Sequence, residues 1–151
     1  MTWICWRTWL LAGVAATAPM GATAAAQTAQ IIVQVVDGKT GDPLPDHHLT
    51  VFAGDSADAV AHEKMHFQLL TNKDGRALLS VAPGTVKFIQ VWPDDWVLCQ
   101  TAAKATSFSV GAILSGGVEA EDTCGSLPQT AAAGKFVVYA RRPTLKEKLR
   151  R

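Results

Sequence analysis

Three groups of residues in this chain have the types and spacing that chemistry requires. His62-Glu63-Lys64-Met65-His66 spells H-E-x-x-H. On a helix, histidines four apart share a face and can bind one Zn²⁺, with the glutamate polarising a bound water. That chemistry also needs a third ligand and a helix that continues past the second histidine. Leu69 and Asn72 stand where the glycine and third histidine of the extended motif would fall, and Lys64 puts a cation inside it. From Met65 onward apolar and polar residues alternate, so a strand begins where the helix should continue. The motif is read as a chance match, and no metal or cofactor is expected. A zinc-dependent hydrolase using His62, Glu63 and His66 is the alternative.

Trp92-Pro93-Asp94-Asp95-Trp96 places two aromatics around a turn with two carboxylates. An exposed Trp beside acids can stack on a sugar ring or contact a protein, whereas a buried one fills the core. Both readings stay open, with Trp92, Trp96, Asp94 and Asp95 as candidate ligand-binding residues. The adjacent aspartates do not form the opposed pair that glycoside hydrolysis needs, so no catalytic residue is assigned. His47 and His48 precede a strand, where neighbouring side chains point to opposite faces. They read as solvated loop histidines. No nucleophile elbow or phosphate loop is present.

The chain that positions these residues has 151 of them, 48% hydrophobic and 18% charged, which suits one globular domain. A balance of 14 basic against 13 acidic residues speaks against nucleic acid as a partner. Met1–Arg7 carries one positive charge, Leu10–Ala26 none, and Ala24-Ala25-Ala26 makes a small-residue exit before Gln27. These are the parts of a secretory signal peptide. Residues 1–26 are expected to be cleaved, leaving a chain exported to the periplasm or outside the cell; retention as an anchor is the alternative.

Past Ala26, residues 27–140 hold seven basic and twelve acidic residues, while Arg141–Arg151 holds six basic ones and Glu147. An acidic body thus carries a basic tail, with residues 143–151 as a separate segment. Thr144 and Glu147 form a capping box, and Leu145 and Leu149 lie four apart, so the tail reads as a short helix needing a docking surface. It would touch an acidic partner or a membrane surface weakly, or fray in solvent. Cys99 and Cys124 remain, and two cysteines in an exported chain most simply pair. Free thiols or a metal pair are the alternatives, without supporting residues nearby.

The body alternates strands and turns. Ile31–Val36 is a β-branched run; Leu49, Val51 and Ala53 alternate with Thr50 and Phe52; Met65, Phe67 and Leu69 alternate with His66 and Gln68. Asn72-Lys73-Asp74-Gly75 reads as a hairpin turn before Ala77–Val81. Thr85–Trp92 and Phe136–Ala140 complete six runs. Asp55–His62 and Ser107–Leu114 read as short helical insertions, the second with Phe108, Gly111 and Ala112 on one face. The pattern is that of an all-β sandwich.

Val33-x-Val35-Val36-Asp37-x-x-Thr40-Gly41-x-Pro43-Leu44-Pro45, then Thr71-x-x-Asp74-Gly75-x-Ala77-x-Leu79, then Ala82-Pro83-Gly84-Thr85, resembles carboxypeptidase regulatory-like domains. These are seven-stranded, Ig-like, transthyretin-like (prealbumin-like) or Cna-B-like sandwiches of exported bacterial proteins. The resemblance covers about residues 31–98, and Leu98-Cys99, Thr123-Cys124-Gly125 and Arg142-Pro143 resemble small stand-alone secreted members. It implies one domain over 27–142 and a non-catalytic accessory, binding or structural module, with an unknown protein or carbohydrate partner. Enzymes on related sandwiches need residues missing here. Iron-dependent dioxygenases use two tyrosines against the single Tyr139, and isopeptide-forming domains use an Asn in the last strand, where the chain has none.

Overall fold

The computed structural model describes residues 27–62, 65–101, 107–125 and 128–149. The expected signal peptide, Glu63, Lys64 and the terminal arginines lie outside them. Along the described residues run β1 (Ala29–Asp37), β2 (His48–Gly54), α1 (Ala57–Ala61), β3 (Met65–Leu70), β4 (Arg76–Val81) and β5 (Phe88–Pro93). They are followed by β6 (Val97–Leu98), β7 (Phe108–Ser109), α2 (Val110–Gly116), β8 (Val118–Glu119), β9 (Lys135–Arg141) and α3 (Leu145–Lys148).

All six apolar runs become strands, in two sheets that form an open sandwich. Sheet A runs β4-β1-β9, with β6 and β8 both pairing β9; sheet B runs β3-β2-β5-β7. β1 and β9 are parallel and central, and the apolar runs Val33–Val36, interrupted by Gln34, and Phe136–Ala140 have the character that burial on both faces demands. One set of alternate residues, Ile31, Val33, Val35, Phe136, Val138 and Ala140, faces Leu49, Val51, Ile89 and Val91 of sheet B in the main core. Each such side chain, fully buried, contributes roughly 1.5–3 kcal/mol by area.

Part of the outward set on β1 and β9 is covered as well. Val36, Val137 and Tyr139 pack with Cys99 and Cys124 in a second cluster on the outer face of sheet A. The Cys99–Cys124 disulfide, with Cα atoms 5.5 Å apart, is part of this cover. Gly38 lets this staple approach, because a Cβ there would stand 2.4 Å from Cys99 Sγ and 2.9 Å from Cys124 Cβ.

Three sequence expectations change. Nine strands are found among the described residues instead of seven, because β6, β7 and β8 are two-residue ladders, too short for alternation to mark. The Asn72–Gly75 turn forms, with Gly75 at φ 69° and Asn72 Oδ1 accepting from the Asp74 and Arg76 amides. Yet it closes no hairpin, since β3 pairs β2 in sheet B while β4 pairs β1 in sheet A. Crossing between sheets lets Phe67 and Leu69 meet the core from one side and Ala77, Leu79 and Val81 from the other. The second insertion is helical only from Val110, because Phe108–Ser109 pair with β5 as β7; Val110 and Ile113 are the buried side of the helix, while Gly111 and Ala112 face solvent.

Candidate functional site

The histidine motif does not form a helical metal site. α1 begins at the cap Ser56, whose hydroxyl accepts from the Ala59 amide, and ends at His62, whose Nδ1 donates to Asp58 O at 2.7 Å. β3 begins at Met65, so His66 stands on a strand with its ring 6.4 Å from that of Phe52. The two histidines thus lack the shared helical face the zinc chemistry needs; Glu63 lies outside the described residues. Among the described residues, the one trio of metal-ligand types is Cys99, Asp122 and Cys124, and its two sulfurs are bonded to each other.

The Trp92–Trp96 motif divides into two arms. On β5, Ile89, Val91 and Pro93 point inward, so Trp92 and Gln90 point out, and Trp92 remains 44% exposed. Pairing fixes its neighbours: Trp92 lies opposite Thr50, which lies opposite Gln68; Gln90 lies opposite Phe52, which lies opposite His66. The face holds six residues on three strands, about 10 Å by 7 Å between their Cα atoms. Gln68 Nε2 donates to Thr50 Oγ1 at 2.9 Å, and Thr50 Oγ1 donates to Asp94 Oδ1 at 2.9 Å. An amide, a hydroxyl and a carboxylate are thereby fixed in a row beside the indole.

Trp96 turns the other way, half-buried against the main core. His47 meets its ring edge-on at 4.8 Å between centroids, and the Arg142 guanidinium lies 5.7 Å over it. His47 is held by a buried threonine: Thr71 Oγ1 accepts from the His47 amide at 2.9 Å and donates to Leu44 O at 2.7 Å. Asp95, Pro143 and Lys148 complete a cleft of about 310 Å³ around this Trp. The two arms meet where the Asp94 amide donates to His48 O, continuing the β2–β5 ladder by one rung.

The tail helix forms one wall of the cleft. Thr144 and Glu147 make the expected capping box. Arg141 grips the same Glu147 carboxylate in a fork of 2.8 and 2.9 Å, giving α3 a docking point on the end of β9. This Arg141 hydrogen bond, joined by those from Thr144, holds the Glu147 carboxyl well below the usual carboxylate range. On the outer face of sheet A, burial and a hydrogen bond to Glu119 push Tyr139 up to about 12.

The sequence singled out Trp92, Trp96, Asp94 and Asp95 but treated them as one cluster. Thr50, Gln68, His66 and Gln90 share a face through strand alternation, a signal visible in the sequence without pairing partners. Arg142 and Lys148 carried no local signal, since only docking of the tail brings them to Trp96. No protein-family model matches this chain, and no curated protein does.

Proposed function

We propose that this chain is an exported, non-catalytic accessory module of the carboxypeptidase regulatory-like kind, and that it binds carbohydrate on the outer face of sheet B. The observation that carries this reading is the exposed Trp92 indole beside the fixed Gln68–Thr50–Asp94 row. An indole face accepts the C–H face of a pyranose, and side chains with donors and acceptors held in a plane meet its hydroxyls. The row is preorganised, so binding orders few side chains. Export is supported by the leader pattern and the Cys99–Cys124 disulfide, which belongs to an oxidising compartment. Intact mass of the exported protein should correspond to a chain starting at Gln27.

The test is a survey of immobilised neutral and acidic polysaccharides with the purified chain and a Trp92→Ala variant. Retention of the wild type on at least one glycan, weakened about tenfold or more in the variant, supports the reading. Equal retention of both proteins, or of neither, overturns it. A hydrolase activity abolished by Glu63→Gln would overturn the non-catalytic part.

A further inference from the structure

The cleft around Trp96 has cationic side chains that the Trp92 face, with its Asp94 carboxylate, lacks. Arg142 and Lys148 line it, and neither side chain has an acidic partner within ion-pair distance among the described residues. The nearest acid on α3, Glu147, is committed to Arg141 and the helix cap. Asp95 is the acid in the lining, so two full positive charges face one negative one. His47 Nδ1 donates to Pro45 O, which leaves Nε2 as the ring nitrogen available to a ligand.

The Arg142 guanidinium lies 5.7 Å from the Trp96 ring centroid, a cation–π contact that restrains it and lowers the entropy lost on binding. At about 310 Å³ the cleft sits at the small end of ligand sites, sized for one monosaccharide unit. The Asp94–Asp95 turn links its lining to the strand that carries Trp92.

We infer that the glycan bound on the sheet B face is an acidic one, its carboxylate held between Arg142 and Lys148 in the Trp96 cleft. The inference rests on the carbohydrate reading and adds the substrate class. An excess of one positive charge matches a uronate, whose single carboxylate accepts a guanidinium fork on one side and an ammonium on the other. A doubly charged phosphate would leave a negative charge uncompensated beside Asp95.

Galacturonate oligomers and the same oligomers as methyl esters are the probes, compared by calorimetry at low salt. The acid should bind about tenfold or more tightly than the ester, the gain of a charge-assisted contact. That ratio should fall toward one in Arg142→Gln and Lys148→Gln and be only partly restored in Arg142→Lys, which keeps the charge but not the fork. Raising the salt should shrink it as well. Trp92→Ala should weaken acid and ester alike and leave the ratio unchanged. Acid and ester bound equally by wild type, or a ratio that survives both glutamine variants, overturns the inference. Binding of neither form also overturns it. The carbohydrate reading then stands or falls separately on whether a neutral glycan is retained through Trp92.

Discussion

Removing the disulfide through Cys99→Ala and Cys124→Ala together should lower stability by about 3.5 kcal/mol. The cross-link closes a sequence separation of 25 residues, and the chain-entropy cost of such a loop sets this figure. Spread over the 125 residues from Gln27 to Arg151, an unfolding entropy of about 2.1 cal/mol/K per residue turns it into a drop in Tm of roughly 13 °C. The loss should be localised as well. The Cys99 amide donates to Tyr139 O at 2.9 Å, the Thr123 amide to Cys99 O at 2.8 Å and the Ala120 amide to Val137 O at 2.9 Å. These amides hold the stapled segment on sheet A. Urea unfolding gives the global change, and native-state hydrogen exchange gives the local one. Exchange should speed up at Cys99, Ala120 and Thr123 in the reduced wild type, while β1–β4 ladder amides open only with the whole molecule. A stability change under about 1 kcal/mol, or uniform acceleration in both sheets, would refute the staple argument.

Gly75→Ala should cost at least about 2 kcal/mol in urea titrations, because Gly75 sits at φ 69° and a Cβ would stand 2.6 Å from Val35 O. Gly84→Ala, with nothing within 4 Å of its Cβ, should change stability by less than about 0.5 kcal/mol. Tyr139 has a raised folded-state pKa of about 12, so its contribution is complete below the unfolded value near 10 and is lost as pH rises toward 12. Absorbance titration of this single tyrosine should give a midpoint near 12 or coincide with alkaline unfolding; a midpoint near 10 in folded protein contradicts the burial argument. Glu147 has a depressed folded-state pKa, so docking of α3 is complete above the usual carboxylate range and lost as pH falls through the lowered value. Glu147→Gln should release the tail at neutral pH, seen as random-coil shifts for residues 144–149 with the sheet resonances unchanged.

Much of the sandwich was legible because its strands obey the period of two. Leu49, Val51 and Ala53 face the core while Thr50 and Phe52 face out, as alternation alone dictates. Pairing was not legible. The same Asn72–Gly75 chemistry serves a hairpin or a crossing between sheets, and only the need to fill the core from both sides selects the crossing. Likewise Val36, Val137 and Tyr139 sit on the outer face of sheet A, and they pack there with Cys99 and Cys124, partners 25 positions apart in sequence. For the site, Trp92 and Trp96 stood out by type, but four residues of strand and turn send them to different surroundings. Arg142 and Lys148 reach Trp96 through an ion pair between Arg141 and Glu147 that no local pattern announces as tertiary.

The central claim is that ligand meets the outer face of sheet B. A ¹⁵N-resolved titration of the chain with an oligosaccharide retained in the polysaccharide survey tests it most directly. The account predicts shifts concentrated at Thr50, Phe52, His66, Gln68, Gln90 and Trp92, the Trp92 indole N–H among the largest. Shifts confined to the outer face of sheet A, or to the segment between Cys99 and Cys124, would contradict it.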